Sequence, residues 1–97
     1  MEKILIIQDS PSANAMLKFG LESGGFSVET AETGEEGIEK TKMTPYQLIL
    51  LDYNLPGMNG GQVCRILKEQ DKTRSTPVIF MSAKEDHDFD IYLARYF

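Results

Sequence analysis

The chain has 97 residues, room for one domain over residues 1–97 with a modest core. Fifteen acidic against ten basic residues give a formal charge of −5, the wrong sign for a groove that neutralises nucleic-acid phosphates. With 41% hydrophobic and 26% charged residues the composition is that of an ordinary soluble globular protein, and a single cysteine, Cys64, leaves no internal disulfide and no cysteine-based metal cluster.

The first element is Ile4-Leu5-Ile6-Ile7, a continuous aliphatic run that predicts a strand covered on both faces. Four residues fall far short of a membrane span, and Gln8-Asp9 ends the run too early for a signal peptide. A cytoplasmic location without membrane contact is therefore expected. Asp9-Ser10-Pro11 opens a helix, with a capping side chain followed by Pro in the first turn. Ala13, Met16, Leu17, Gly20 and Leu21 recur at helical spacing, and Gly24-Gly25 closes the segment. Phe26 to Ala31 alternates apolar and polar residues, as a strand near a sheet edge does. Thr33 and Glu36, three apart, fit a capping box, and the helix they open has a thin apolar face of Gly37, Ile38 and Thr41.

Met43-Thr44-Pro45-Tyr46 interrupts the chain, and Leu48-Ile49-Leu50-Leu51 is a second buried strand that ends on Asp52. Tyr53 to Gly61 is a loop dense in turn residues. Val63, Ile66 and Leu67 mark a helix ending near Asp71, and Pro77 precedes a fourth apolar run, Val78-Ile79-Phe80-Met81, which stops at Ser82-Ala83. Phe89, Tyr92, Leu93 and Tyr96 form a last helical stripe. Strands alternating with helices predict an α/β fold with a parallel sheet and right-handed crossovers.

In an open parallel sheet, ligands bind beyond the carboxyl ends of the strands, where strand order reverses. Three strands end on polar residues that would converge there: Gln8-Asp9, Asp52 and Ser82. Two carboxylates at one edge repel unless a cation or proton separates them. Asp9, Asp52 and a backbone carbonyl make the oxygen-only set that Mg²⁺ prefers. A metal-bound carboxylate is then a nucleophile toward a phosphoryl group, and Ser82 a hydrogen-bond donor to it. Each residue also has a plainer role. Asp9 fits a cap of the first helix, Asp52 a strand-terminal turn, Asn59-Gly60 a helix entry and Ser82 a strand end. No glycine-rich phosphate cradle is present, which weakens a nucleotide- or flavin-binding enzyme of the same architecture. His87 reads as a surface residue, Cys64 as core filler, and the acids from Glu29 to Glu39 as a solvated helix face. Met58 has room to pack over the site, although nothing in the sequence requires it.

The loop Asp52-Tyr53-Asn54-Leu55-Pro56-Gly57-Met58-Asn59-Gly60 resembles the D-x-x-[LM]-P-x-M-[DN]-G loop of bacterial response-regulator receiver domains. With Gln8-Asp9 and Met81-Ser82-Ala83 the resemblance spans the whole chain in the right order. It implies a flavodoxin-like, doubly wound parallel sheet of order 2-1-3-4. It also implies that Asp52 is the phosphoacceptor, that Mg²⁺ is held by Asp9, Asp52 and the backbone carbonyl of Asn54, and that Ser82 and Ala83 contact the phosphate and switch. Such a domain assists its own phosphoryl transfer and dephosphorylation without being a classical enzyme. Its partners would be a sensor histidine kinase or phosphotransfer protein, and a C-terminal output domain or partner protein.

Two departures matter. Gln8 stands where the family usually has a second acidic residue, so weaker Mg²⁺ binding is expected. The sequence also stops before the family's lysine, fifth strand and fifth helix, and Lys84 is poorly placed to substitute. That reads as a fragment of a longer regulator or a naturally shortened module, with self-association through the uncovered fourth strand and last helix as an expected consequence. The rival reading is a pseudo-receiver: the same fold used as a protein-interaction module without phosphorylation.

Overall fold

The computed structural model of the chain describes residues 2–81. They form β1 (Lys3–Ile7), α1 (Pro11–Ser23), β2 (Ser27–Ala31), α2 (Gly34–Met43), β3 (Leu48–Asp52), α3 (Gly60–Glu69) and β4 (Val78–Met81). All three strand pairings are parallel and the order is β2-β1-β3-β4. This is the expected α/β class and the expected flavodoxin-like order, with β2 at an edge. The stripe Phe89, Tyr92, Leu93 and Tyr96 lies outside the described residues, as do His87 and Lys84.

The period of two along each strand sorts the aliphatic runs onto two faces. Leu5, Ile7, Ile49, Leu51, Val78 and Phe80 share one face, each at most 2% exposed. They pack against Ile38 of α2 and Val63, Cys64 and Leu67 of α3. Each such aliphatic side chain, fully buried, contributes about 1.5–3 kcal/mol, so this face is the main source of stability. On the other face Leu17 and Leu21 of α1 cover Ile4, Ile6 and Val28. Cover thins from β1 toward β4: Leu48, Leu50 and Met81 are partly buried, and Ile79 is 39% exposed. β1 is thus covered on both faces as its sequence requires, whereas β3 is fully buried on one face only.

The helix ends follow from local chemistry, with three differences from the sequence reading. Ser10, not Asp9, caps α1: its hydroxyl accepts from the Ala13 N–H at 3.2 Å, with Pro11 opening the first turn. At α2 the Thr33 hydroxyl accepts from the Glu36 N–H at 3.1 Å, but the Glu36 carboxylate returns to the Glu32 N–H at 2.9 Å. The reciprocal half of that capping box has slipped by one residue. α3 carries the complete box, Asn59 with Gln62, so Asn59 is indeed a helix entry. That helix stops at Glu69, since Gln70 turns extended and the buried Thr73 donates its hydroxyl to the Leu67 carbonyl.

The inward stripe of α1 is also rotated from expectation. Met16 is 77% exposed and Gly20 faces solvent, while Asn14 is buried alongside Leu17 and Leu21. A polar residue holds the inward position because its Nδ2 donates to the Gln8 carbonyl at 2.8 Å. The thin face of α2 is as expected, with Gly37, Ile38 and Thr41 all buried.

Glu29 lies on β2 and not on a solvated helix face. It accepts from the buried Tyr46 hydroxyl at 2.6 Å and pairs with Lys3 at 3.0 Å. The Tyr46 bond, then that from Lys3, hold the Glu29 carboxyl below its ordinary range. Burial first, and Glu29 second, push the Tyr46 hydroxyl far above its usual value. Tyr46→Phe should cost about 1 kcal/mol, the net worth of one hydrogen bond whose partner stays half in water, read as a lower urea midpoint with unchanged slope.

Candidate functional site

β1 and β3 pair with Ile7 opposite Leu51, and continuing that register by one residue sets Gln8 level with Asp52. β3 and β4 pair with Asp52 opposite Met81, and the Tyr53 N–H reaches the Met81 carbonyl at 3.3 Å. The polar ends of β1 and β3 therefore meet at the carboxyl edge of the sheet. β4 ends beside them, while Ser82 and Ala83 lie outside the described residues.

Asp52 is 9% exposed, and its Oδ1 accepts from the Asn54 N–H at 3.0 Å. Burial pushes its carboxyl above the ordinary value; the Asn54 N–H opposes this, the Asp9 charge adds to it, and the nearby Gln8 side chain opposes it. Asp9 and Gln8 thus lie close enough to Asp52 to act on its carboxyl, with Asp9 exposed and Asp52 nearly buried. Asn54 sits at the same edge through its N–H.

The loop after Asp52 is shaped by a few residues. Leu55 anchors it in the core at 7% exposure, and Gly57 takes the left-handed backbone with φ +71° that a side chain would oppose. Met58 packs against the core beside Gly34 and not simply over the pocket. The Gly60 N–H then donates to the Tyr53 carbonyl at 2.9 Å, folding the start of α3 back onto the strand end. Tyr53 stacks edge-on against Phe80 at 5.9 Å between ring centres.

Asn14 and Ser10, which position Gln8, and Gly60, which positions Asp52, are site residues that the sequence reading missed. The spacing of Asn14 four residues after Ser10, on a stripe otherwise apolar, is the one signal that pointed to it. Cys64 is fully buried and its thiol is pushed up by that burial, so it is core filler and no nucleophile.

The donor set suits a hard cation. Asp9 and Asp52 supply carboxylate oxygens with Asn54 adjacent, and among the described residues no group of three His, Cys, Asp or Glu stands together. Two carboxylates with water completing the shell is how Mg²⁺ is commonly held, so the residues present fit that ion. Among the described residues no helix is long and apolar enough to cross a membrane.

A doubly wound parallel sheet with two acids, Asp9 and Asp52, at its carboxyl edge beside the point where strand order reverses defines a flavodoxin-like α/β domain. Within that class, the chain belongs to the response regulator receiver domain family, whose model matches residues 4–95. The response regulator ArlR of Staphylococcus aureus is 36% identical over 86 residues, which is 89% of this chain and 38% of ArlR. The chain thus spans little more than a third of the length of that relative. The chemotaxis protein CheY4 of Vibrio cholerae superposes with a TM-score of 0.90 at 26% identity, covering 99% of this chain and 80% of that one. The response regulator protein TrrA of Thermotoga maritima, solved in complex with Mg²⁺ and BeF, gives a TM-score of 0.87 at 29% identity, with 99% of this chain and 81% of that one covered.

Proposed function

We propose that the chain is a phosphoacceptor receiver of a two-component system, taking a phosphoryl group from a sensor histidine kinase or phosphotransfer protein onto Asp52. The observation that carries this is Asp52 itself: a nearly buried carboxylate at a strand end, fixed by the Asn54 N–H and facing a second acid. One Asp52 oxygen attacks phosphorus, the P–N bond to the donor imidazole breaks, and its electron pair leaves on the imidazole nitrogen. Burial strips water from the nucleophile, and the Asn54 N–H holds the carboxylate in one orientation. Asp9, Asp52 and the Asn54 carbonyl would hold Mg²⁺, which neutralises charge on the transferring group when bound. Ser82 and Ala83 would meet the phosphoryl group and pass its arrival to a partner or output surface.

Incubation with a small acyl-phosphate donor and Mg²⁺ should add one acid-stable, base-labile phosphoryl group, visible as a single mass increment. Asp52→Asn should lose it, whereas Asp71→Asn, on the exposed turn after α3, should keep it. Modification persisting in the Asp52 variant overturns the assignment. Absence of modification in the unaltered chain favours the non-phosphorylated interaction module, for which Gln8 in an otherwise acidic pocket is the supporting feature.

A further inference from the structure

Of the residues between β1 and α1, which are Gln8, Asp9 and Ser10, only Asp9 is exposed, so its place depends on its backbone and not on packing. Each peptide group around it is tethered. The Gln8–Asp9 peptide is held at its carbonyl, which accepts from Asn14 Nδ2 at 2.8 Å. The Asp9–Ser10 peptide is held at its N–H, which donates to Gln8 Oε1 at 3.3 Å. The Ser10–Pro11 peptide is held at its carbonyl, which accepts from the Asn14 N–H at 3.0 Å. Just before them, the Gln8 N–H donates to the Ala31 carbonyl at 2.9 Å. Because peptide groups are planar, the two rotatable backbone bonds of Asp9 lie between planes that are themselves fixed. Asn14 supplies one tether from its backbone and another from its side chain.

The backbone tether is an ordinary first-turn helix bond, open to any residue with an N–H at that position. The side-chain tether is not. Asn14 is 6% exposed, on a face of α1 otherwise formed by Leu17 and Leu21. A backbone carbonyl accepts only from nitrogen, so the amide has one orientation. Its Oδ1 is left buried with no hydrogen-bond partner among the described residues. An apolar side chain would remove that unpaired acceptor, so asparagine suits the interior poorly and suits the Gln8 carbonyl well. We propose that Asn14 is a positioning residue for Asp9, its amide holding the Gln8–Asp9 peptide so that the Asp9 carboxylate meets a divalent cation from one backbone setting. This rests on the reading of Asp9 and Asp52 as the cation pocket. A ligand whose backbone is set beforehand loses less freedom on binding, so the tether is expressed as cation affinity.

The test is calorimetric titration of the 97-residue chain with Mg²⁺, beside urea unfolding of each protein. Asn14→Leu keeps the volume and removes both the donor and the unpaired acceptor; Asn14→Ala removes the donor and leaves a gap. Their urea midpoints should therefore differ, with Asn14→Leu the more stable. Both should nevertheless bind Mg²⁺ about tenfold more weakly than the unaltered protein, the low end of what outer-shell partners of metal ligands contribute. Leu17→Ala opens a gap on the same helix face without touching the Asp9 peptides, and should lower the midpoint while keeping the affinity. In Asn14→Leu, phosphoryl acceptance should regain the unaltered rate at saturating Mg²⁺, with only the half-saturating concentration raised. Unchanged affinity in Asn14→Leu, or affinities that follow the urea midpoints across all three variants, overturns the assignment. So does a maximal rate that stays low in Asn14→Leu, which would place the effect on Asp52. Asp9→Asn separates the two readings. If it weakens Mg²⁺ binding while Asn14→Leu does not, the pocket reading stands and the positioning role falls. If it binds as the unaltered protein does, or if the unaltered protein binds no Mg²⁺, both fall.

Discussion

Gly60→Ala should destabilise the protein by about 1–3 kcal/mol and slow phosphoryl acceptance at Asp52. A Cβ built on Gly60 comes within 2.6 Å of the Asp52 carbonyl oxygen and 2.6 Å of the Tyr53 Cα. Both are backbone atoms, so no rotamer change relieves the contact. Either the start of α3 lifts off the strand end, breaking the Gly60 N–H bond to Tyr53, or β3 shifts and carries Asp52 with it. Gly20→Ala on the exposed side of α1 is the matched control, because its Cβ meets nothing within 4 Å. There the methyl group restricts the unfolded chain and favours helix, so a gain of about 0.5–1 kcal/mol is expected. Urea unfolding of both variants should show opposite shifts of the midpoint at unchanged slope. Similar shifts of one sign would mean that the close approach at Gly60 is not what the geometry indicates.

Which features were legible in the sequence follows from how many residues encode each one. The strands were plain because four aliphatic residues in a row have few alternatives to burial, and Ile4 to Ile7 are indeed at most 2% exposed. The parallel order followed from alternation with helices, and the site edge from polar residues placed directly after aliphatic runs. Asp52 and Asp9 were visible on that ground before any geometry. Contacts between distant residues were not legible. Tyr46 and Glu29 are 17 positions apart and join only because β2 and β3 flank β1. The rotation of α1 depended on Asn14, whose inward position is fixed by a backbone carbonyl that no side-chain pattern records. The slipped capping box at Glu36 shows the same limit, since a carboxylate can reach either of two adjacent N–H groups.

Asp52→Asn should unfold at higher temperature than the unaltered chain at neutral pH, while losing phosphoryl acceptance. The sign follows from the folded-state titration of Asp52. Its carboxyl is raised above the ordinary value of 3.8, chiefly by burial and secondarily by Asp9. In the window above 3.8 the folded state therefore binds more protons than the unfolded state, and stability falls as pH rises through it. At neutral pH the folded protein bears the full penalty of holding that charge; below the ordinary carboxyl range it bears none. The neutral amide removes the penalty, and its carbonyl can still accept from the Asn54 N–H that now meets Oδ1. A gain of about 0.5–2 kcal/mol is expected, as for single substitutions that relieve a functional site. The difference between the two proteins should shrink as pH is lowered, because the unaltered chain recovers stability as Asp52 protonates. Mg²⁺ should narrow the gap from the other direction at neutral pH, since a ligand that binds only the folded unaltered chain stabilises it by mass action. Thermal unfolding of both proteins at neutral and acidic pH, with and without Mg²⁺, reads all of these at once. A variant less stable than the unaltered chain at neutral pH would show that Asp52 is held by interactions stronger than its burial, and would count against a charge strain at that carboxylate that a bound cation would relieve.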